Sequence, residues 1–363
     1  MRRLDIAQQR LVSQHIALPG LKKPDDVVRW LVAVQAQDYA GAKWALGLRL
    51  KGGTETVIEQ AFTDGSILRT HLMRPTWHFV TPADIRWLLA LTAPRVHSVN
   101  AHMYRKLELD DTIFKRSHAT LAKALRDSQT LTRDELRSVL ESAGIAVNGD
   151  LRMGYLMMRA ELDAIVCSGP RRGKQFTYAL LDDRVPQPRT LARDEALVEL
   201  ARRYFVSRGP ATVQDFAKWS GLTVIDARNG LEGVKHHLQC EIVADRTYWF
   251  PTSIPNAGNA SPIAHLLSIY DEYISGYKDR SAMVSESYAA RLSGLGNALS
   301  YIVAIDGQIV GTWKRMITKN SVTIEPNFFK RLTAPEKQAV EVAVQRYAQF
   351  VDLPLVSAKA SYY

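Results

Sequence analysis

Gln35-Ala36-Gln37-Asp38 is the run whose residue types fit their surroundings least. It closes an apolar stretch, Val27 to Val34, that the spacing predicts as a buried helix. Two carboxamides and a carboxylate are poor packing groups, because a buried amide must find hydrogen-bond partners. Facing a cleft, the same groups hold a water or grip a polar substrate. Positions i and i+2 of a helix diverge, so Gln35 and Gln37 converge only if the helix stops by about Asp38. Asp38-Tyr39-Ala40-Gly41 reads as such a stop. If the helix continues, Gln35 and Asp38 pair instead, and Asp38 becomes the candidate base or cation stabiliser. A third reading makes the amides helix caps in a structural network.

Other dense runs follow. Tyr270 to Arg280 packs acids, tyrosines, a lysine and an arginine together, either as a hydrogen-bonded loop or as a substrate-contacting one. Asp271, Tyr273 and Arg280 are its candidate site residues. Arg171-Arg172-Gly173-Lys174 is a basic tip with glycine for close approach, suited to phosphate or simply to solvent. Arg69, His71, Arg74 and His78 interleave with Leu68, Leu72, Trp77 and Phe79, and strand alternation predicts the polar set on one face. Gly-x-Ser-x-Gly, Walker and GxGxxG motifs are absent, and Gly294-Leu295-Gly296 lacks the third glycine of the last.

The elements that would position these groups repeat. Short helices lead into a hairpin over Ile67 to Val80, the outline of a winged helix. Thr132 and Glu135 form a capping box, a helix covers Leu151 to Leu162, and two strands flank the basic tip. Thr212 and Thr223 start two more helices, before a hairpin over Gln239 to Phe250. Val185-Pro186-Gln187-Pro188 and Pro251 to Pro262 separate the units. The C-terminal part differs, with a hairpin around Asp306-Gly307, a strand over Ser321 to Glu325 and a long helix over Ala334 to Phe350. The expected fold is mainly α with small β-hairpins (α+β). Winged-helix units are expected at 1–83, 84–184 and 193–250, and an α+β unit at 262–363.

Composition narrows the function. A hydrophobic share of 46% supports real cores, and 47 Lys+Arg against 37 Asp+Glu leave +10, which favours a polyanionic partner. Two distant cysteines, Cys167 and Cys240, imply neither a disulfide framework nor a zinc site, and suit a reducing cytoplasm. No signal peptide and no run of ~20 apolar residues is visible. The expectation is a cytoplasmic, nucleoid-associated monomer with no cofactor, metal or membrane partner.

Gln35-Ala36-Gln37 resembles the Gln-x-Gln motif of AlkZ-type bacterial DNA glycosylases. So do Leu72-Met73-Arg74-Pro75-Thr76-Trp77-His78, Asp271-Glu272-Tyr273, Gly276-Tyr277-Lys278-Asp279-Arg280 and Val310-Gly311-Thr312-Trp313. The resemblance spans roughly residues 5 to 350. It implies tandem winged-helix units in a C shape around a basic channel, and excision of alkylated purines or unhooking of interstrand crosslinks. Gln35 and Gln37 would be catalytic, with Asp38, Asp271, Tyr273 and Arg280 in support. Arg69, Arg74, His78, Arg171, Arg172 and Lys174 would hold double-stranded DNA carrying the lesion. One departure stands out: the family pattern Arg-Gly-Thr-Leu-His is here Arg74-Pro75-Thr76-Trp77-His78. The alternative is a non-catalytic winged-helix DNA-binding protein or transcription regulator.

The chemistry holds together without the family. Glutamine is no base, but an N7-alkylated purine is already cationic and leaves without protonation. A placed water and stabilisation of an oxocarbenium-like sugar remain, and carboxamides supply both by position and dipole. Neutral lesions such as uracil should be poor substrates.

Overall fold

The structure, a computed structural model, describes residues 4–186, 189–253, 262–294, 301–358 and 361–362. Gln187, Pro188 and much of the second proline-bearing separator, as well as Leu295 and Gly296, lie outside the described residues. The architecture is mixed, dominated by helices, with small sheets, as the sequence predicts.

The first unit corrects the sequence reading at its centre. Helix Pro24–Leu31 starts as expected, with proline at its first position and Asp25 and Asp26 in the first turn. It ends at Val32, whose φ of 67° is strained for a β-branched residue, at about 1–3 kcal/mol. Ala33–Gln35 then runs as a strand, not as helix. It joins the edge of the hairpin Leu68–Leu72/Arg74–Val80, giving a three-stranded sheet with Arg74–Val80 in the middle. The apolar run is rich in valine, which suits a pleated surface as well as a helix, and the pairing decides between them. Asp38 caps the next helix, Tyr39–Gly47, accepting from the Gly41 N–H at 2.5 Å.

The outline recurs. Helices Asp111–Ala124, Arg133–Ser142 and Gly149–Leu162 precede the hairpin Val166–Ser168/Thr177–Leu180. Helices Arg193–Arg208, Val213–Ser220 and Val224–Glu232 precede the hairpin Leu238–Val243/Arg246–Pro251. Both Thr132–Glu135 and Thr212–Asp215 form capping boxes. In the C-terminal unit, Asp306 (φ 48°) and Gly307 (φ 82°) turn Ile302–Ile305 into Gln308–Ile317. These strands belong to a larger sheet, packed by helix Ala334–Val351. One apolar core gathers residues from Ala7 to Phe350, including Leu162, Cys167 and Leu181 beside the second hairpin, and a separate core surrounds Leu136, Met153 and Leu156.

Candidate active site

The strand form changes the geometry of the glutamines. Side chains at i and i+2 of an extended chain share a face, so a strand in place of the helix removes the divergence expected of Gln35 and Gln37; the strand ends at Gln35, and Gln37 lies in the bend that follows. Gln35 is registered with His78, and the Ala36 N–H donates to Trp77 O at 2.7 Å, so pairing continues past the strand's formal end. Directly opposed residues share a face, which places His78, and with it Thr76, on the side of Gln35, where Arg74 joins them. Arg74 Nη2 donates to Gln35 Oε1 at 3.2 Å and contacts His78 Nε2 at 3.3 Å. His78 Nδ1 lies 2.9 Å from Thr76 O and must donate to it. Nε2 is then the acceptor for Arg74, and the imidazole is neutral. Burial, followed by the Arg74 charge, pushes its pKa down to about 3. The chain of contacts also fixes the Gln35 amide, whose carbonyl faces Arg74 and whose NH₂ is turned the other way. Gln37 is exposed.

A carboxylate behind the strand anchors it. Glu272 is fully buried and accepts the Gln35 backbone N–H at 3.0 Å on one oxygen. Its other oxygen takes Arg208 Nη2 at 2.6 Å, Arg208 Nε at 3.2 Å and Trp219 Nε1 at 2.8 Å. Arg208 also donates to Ala33 O at 3.1 Å. Burial alone would raise the Glu272 pKa, but Arg208 and the Gln35 N–H hold it below the usual value. Glu272, Arg208 and Trp219 were not singled out from sequence. The signal for Glu272 was present, in the dense run from Tyr270 to Arg280, but the short helix Glu272–Ser275 sends its neighbours elsewhere.

Asp271 points away from the glutamines, into a buried bidentate pair with Arg49 at 2.9 and 3.0 Å. The Tyr273 hydroxyl, also buried, donates to Gly307 O at 2.8 Å. Neither lines the site: the Asp271 pair ties residues 262–363 to the N-terminal part, and the Tyr273 bond lies within residues 262–363. Arg280 is half-buried, with Nε donating to Ile274 O at 3.2 Å. Asp38 is engaged as the helix cap, and the Tyr301 hydroxyl also donates to its Oδ1, at 3.3 Å.

The polar set of the hairpin does not share one face. Arg74 and His78 lie with the glutamines, but Arg69 and His71 lie on the opposite side with Trp77. There Arg69 sits between the rings of Trp77 (4.4 Å) and Phe176 (4.6 Å), and its Nε donates to Ala36 O at 3.1 Å. It holds the residue between the two glutamines. His71 pairs with buried Glu161 and packs on Trp77 at 4.3 Å. Trp77, one of the two departures from the family pattern, therefore supports the motif from behind; Pro75 is exposed.

The basic tip divides likewise. Arg171 turns inward to Glu59 (3.0 Å) and lies over Tyr39 and Phe176. Arg172 pairs with Glu135 at 2.6 Å, and Lys174 is exposed. Among the described residues no group of three or more His, Cys, Asp or Glu is placed to hold a metal ion. Among the described residues no helix is long and apolar enough to cross a membrane.

Helix-and-hairpin units here carry a sheet face on which amides lie among cations, and the family that the chain matches is one of base-excising enzymes. The chain belongs to the AlkZ-like family of DNA glycosylases, whose sequence profile matches residues 28–350. A relative from Streptomyces sahachiroi, named interstrand DNA cross-link repair glycosylase, is 26% identical over 338 residues, covering 88% of this chain and 89% of its own. The solved structure of Streptomyces sahachiroi DNA glycosylase AlkZ superposes with a TM-score of 0.81 at 23% identity, covering 99% of this chain and all of that one. That likeness bears on the fold; the sequence-based readings of a mainly α chain with small β elements and of membership in the AlkZ-type family are borne out.

Proposed function

We propose that the protein is a monofunctional glycosylase that hydrolyses the N-glycosidic bond of N7-alkylated purines in duplex DNA, including those that form interstrand crosslinks. What supports this is Gln35, held on the sheet face by Arg74, with the exposed Gln37 two residues on. The nearest imidazole on that face, His78, is neutral and already donates its one N–H to Thr76 O. Glu272 is saturated behind the strand. Neither the imidazole nor the buried carboxylate nearest the glutamines is thus free to protonate a leaving base, which suits a base that departs already cationic.

The roles follow from donors and acceptors. The Gln37 carbonyl accepts a hydrogen from the attacking water and turns its lone pair toward C1′. The Gln35 NH₂ donates to the same water or to the sugar oxygens. The carbonyl dipoles stabilise the developing positive charge on the sugar without themselves titrating. The name of the Streptomyces relative, a cross-link repair glycosylase, supports the crosslink part of the substrate range.

The test uses duplex DNA carrying N7-methylguanine or a nitrogen-mustard crosslink, with abasic sites cleaved by alkali. Wild type should give strand cleavage, and Gln37→Ala should lose it while keeping DNA binding. Equal product from wild type and the Gln35/Gln37 double alanine variant would remove the mechanism.

A further inference from the structure

Beside Gln35, three cations converge that no carboxylate neutralises. Arg74 Nη1 reaches Lys218 O at 3.5 Å, Lys218 Nζ donates to Ser275 O at 2.8 Å, and Arg280 Nε donates to Ile274 O at 3.2 Å. All three are half-buried. Among the described residues none has a carboxylate within ion-pair distance. The more deeply buried arginines are treated differently: Arg10, Arg49, Arg203 and Arg208 sit 3.6, 2.9, 2.8 and 2.6 Å from Asp215, Asp271, Asp84 and Glu272. Glu272, whose charge does reach Arg74 and Lys218, is committed to Arg208.

The cluster is forced together rather than drifting on the surface. Helix Val213–Ser220 ends at Gly221, in the left-handed region (φ 73°), pressed onto the turn at Met73. A Cβ at Gly221 would lie 2.2 Å from Met73 O, so only glycine allows the approach. This seats Lys218 beside Arg74. The crowding is unfavourable: burial, then repulsion from Arg74 and Arg280, brings the Lys218 pKa down to about 8. Backbone carbonyls satisfy only some of the donors, since a guanidinium carries five and an ammonium three. Packed like charge with spare donors is an arrangement that suits an anion.

We infer that Arg74, Lys218 and Arg280 form the seat for one backbone phosphodiester of the lesion-bearing strand, next to the nucleotide at which Gln35 and Gln37 place the attacking water. The ligand's being DNA rests on the glycosylase reading. The lesion strand is favoured because Arg74 bonds Gln35 directly, so a phosphate on its outer edge lies close to the sugar under attack. The seat fixes the register of the strand and relieves the repulsion among the three cations when it fills.

The test pairs protein and DNA changes. Duplexes carry a tetrahydrofuran abasic analogue and a single methylphosphonate, stepped along either strand, and binding is measured by fluorescence anisotropy. Wild type should lose about tenfold in affinity when one phosphate flanking the analogue in the same strand is made neutral. Lys218→Met and Arg280→Met should each lose about tenfold on the unmodified duplex and show no further loss at that position, with Lys218→Arg restoring it. Melting curves establish that each variant is folded, and two variants guard against failure of one. Independent, multiplying losses, or a sensitive phosphate only in the opposite strand, would overturn the seat. Base release by wild type is read separately. Coupling without base release would sink the glycosylase reading and leave the phosphate seat standing.

Discussion

Replacing Glu272 by glutamine keeps the shape of the side chain and removes its charge, and the structure makes that change severe. The carboxylate accepts from four donors, namely the Gln35 N–H, two guanidinium nitrogens of Arg208 and the Trp219 indole N–H. A glutamine accepts with one end only. Either its NH₂ meets Arg208 and Trp219, or it meets the Gln35 N–H. Both choices set donor against donor and leave Arg208, fully buried, without a counter-charge. Breaking a buried pair from one side costs about 3–5 kcal/mol. In urea, followed by tryptophan fluorescence, the unfolding midpoint should fall by roughly 1–2 M for a slope near the upper end of the usual range. Below the transition, base release per folded molecule should also drop, by about tenfold, since the Gln35 backbone loses its anchor. A midpoint shift equivalent to under ~1 kcal/mol would refute the energetic argument. A full shift with unchanged turnover would show that Glu272 holds the fold but not the motif.

Three further outcomes follow. Arg69→Lys keeps the charge but loses the flat stack on Trp77 and Phe176 and the fixed bond to Ala36 O, so kcat should fall several-fold with KM little changed; an unchanged kcat would mean that the motif holds its place without this brace. Stability should fall on acidification from about pH 6.5, because the unfolded chain protonates His78 while the folded one resists until about pH 3. The loss is at most ~1.4 kcal/mol per pH unit for this group, and His78→Gln should flatten the urea midpoint between pH 7 and 5. Glu272 adds in the same sense at lower pH: its folded pKa is depressed, so its contribution is present above the usual carboxylate value and is lost as pH falls through the folded one. Lys174→Ala should weaken binding to all duplexes and reduce the salt slope by about one ion, whereas Arg171→Ala should leave the slope alone and lower stability. The opposite pattern would mean that Arg171 leaves Glu59 to meet DNA.

Local signals were legible where the interaction is local. Capping boxes at Thr132 and Thr212, proline at the start of Pro24–Leu31, and the Asp306-Gly307 turn each depend on residues a few positions apart. The chemistry of the glutamines was legible too, because an amide's donor and acceptor belong to the residue. The strand at Ala33–Gln35 was not. Its apolar, valine-rich run fits a helix or a strand, and the choice falls to hydrogen bonds with Arg74–Val80 and with Glu272, 237 residues away. The roles of the cations were hidden for the same reason. Arg69 and Arg171 look alike as exposed basic residues, yet aromatic rings from distant elements take both inward. Lys218 looks ordinary until Gly221 presses its helix onto Met73. The sequence by itself determined which groups are present and what each can donate or accept. The tertiary structure alone decided which of them meet, because partners are set by contacts that no local spacing encodes.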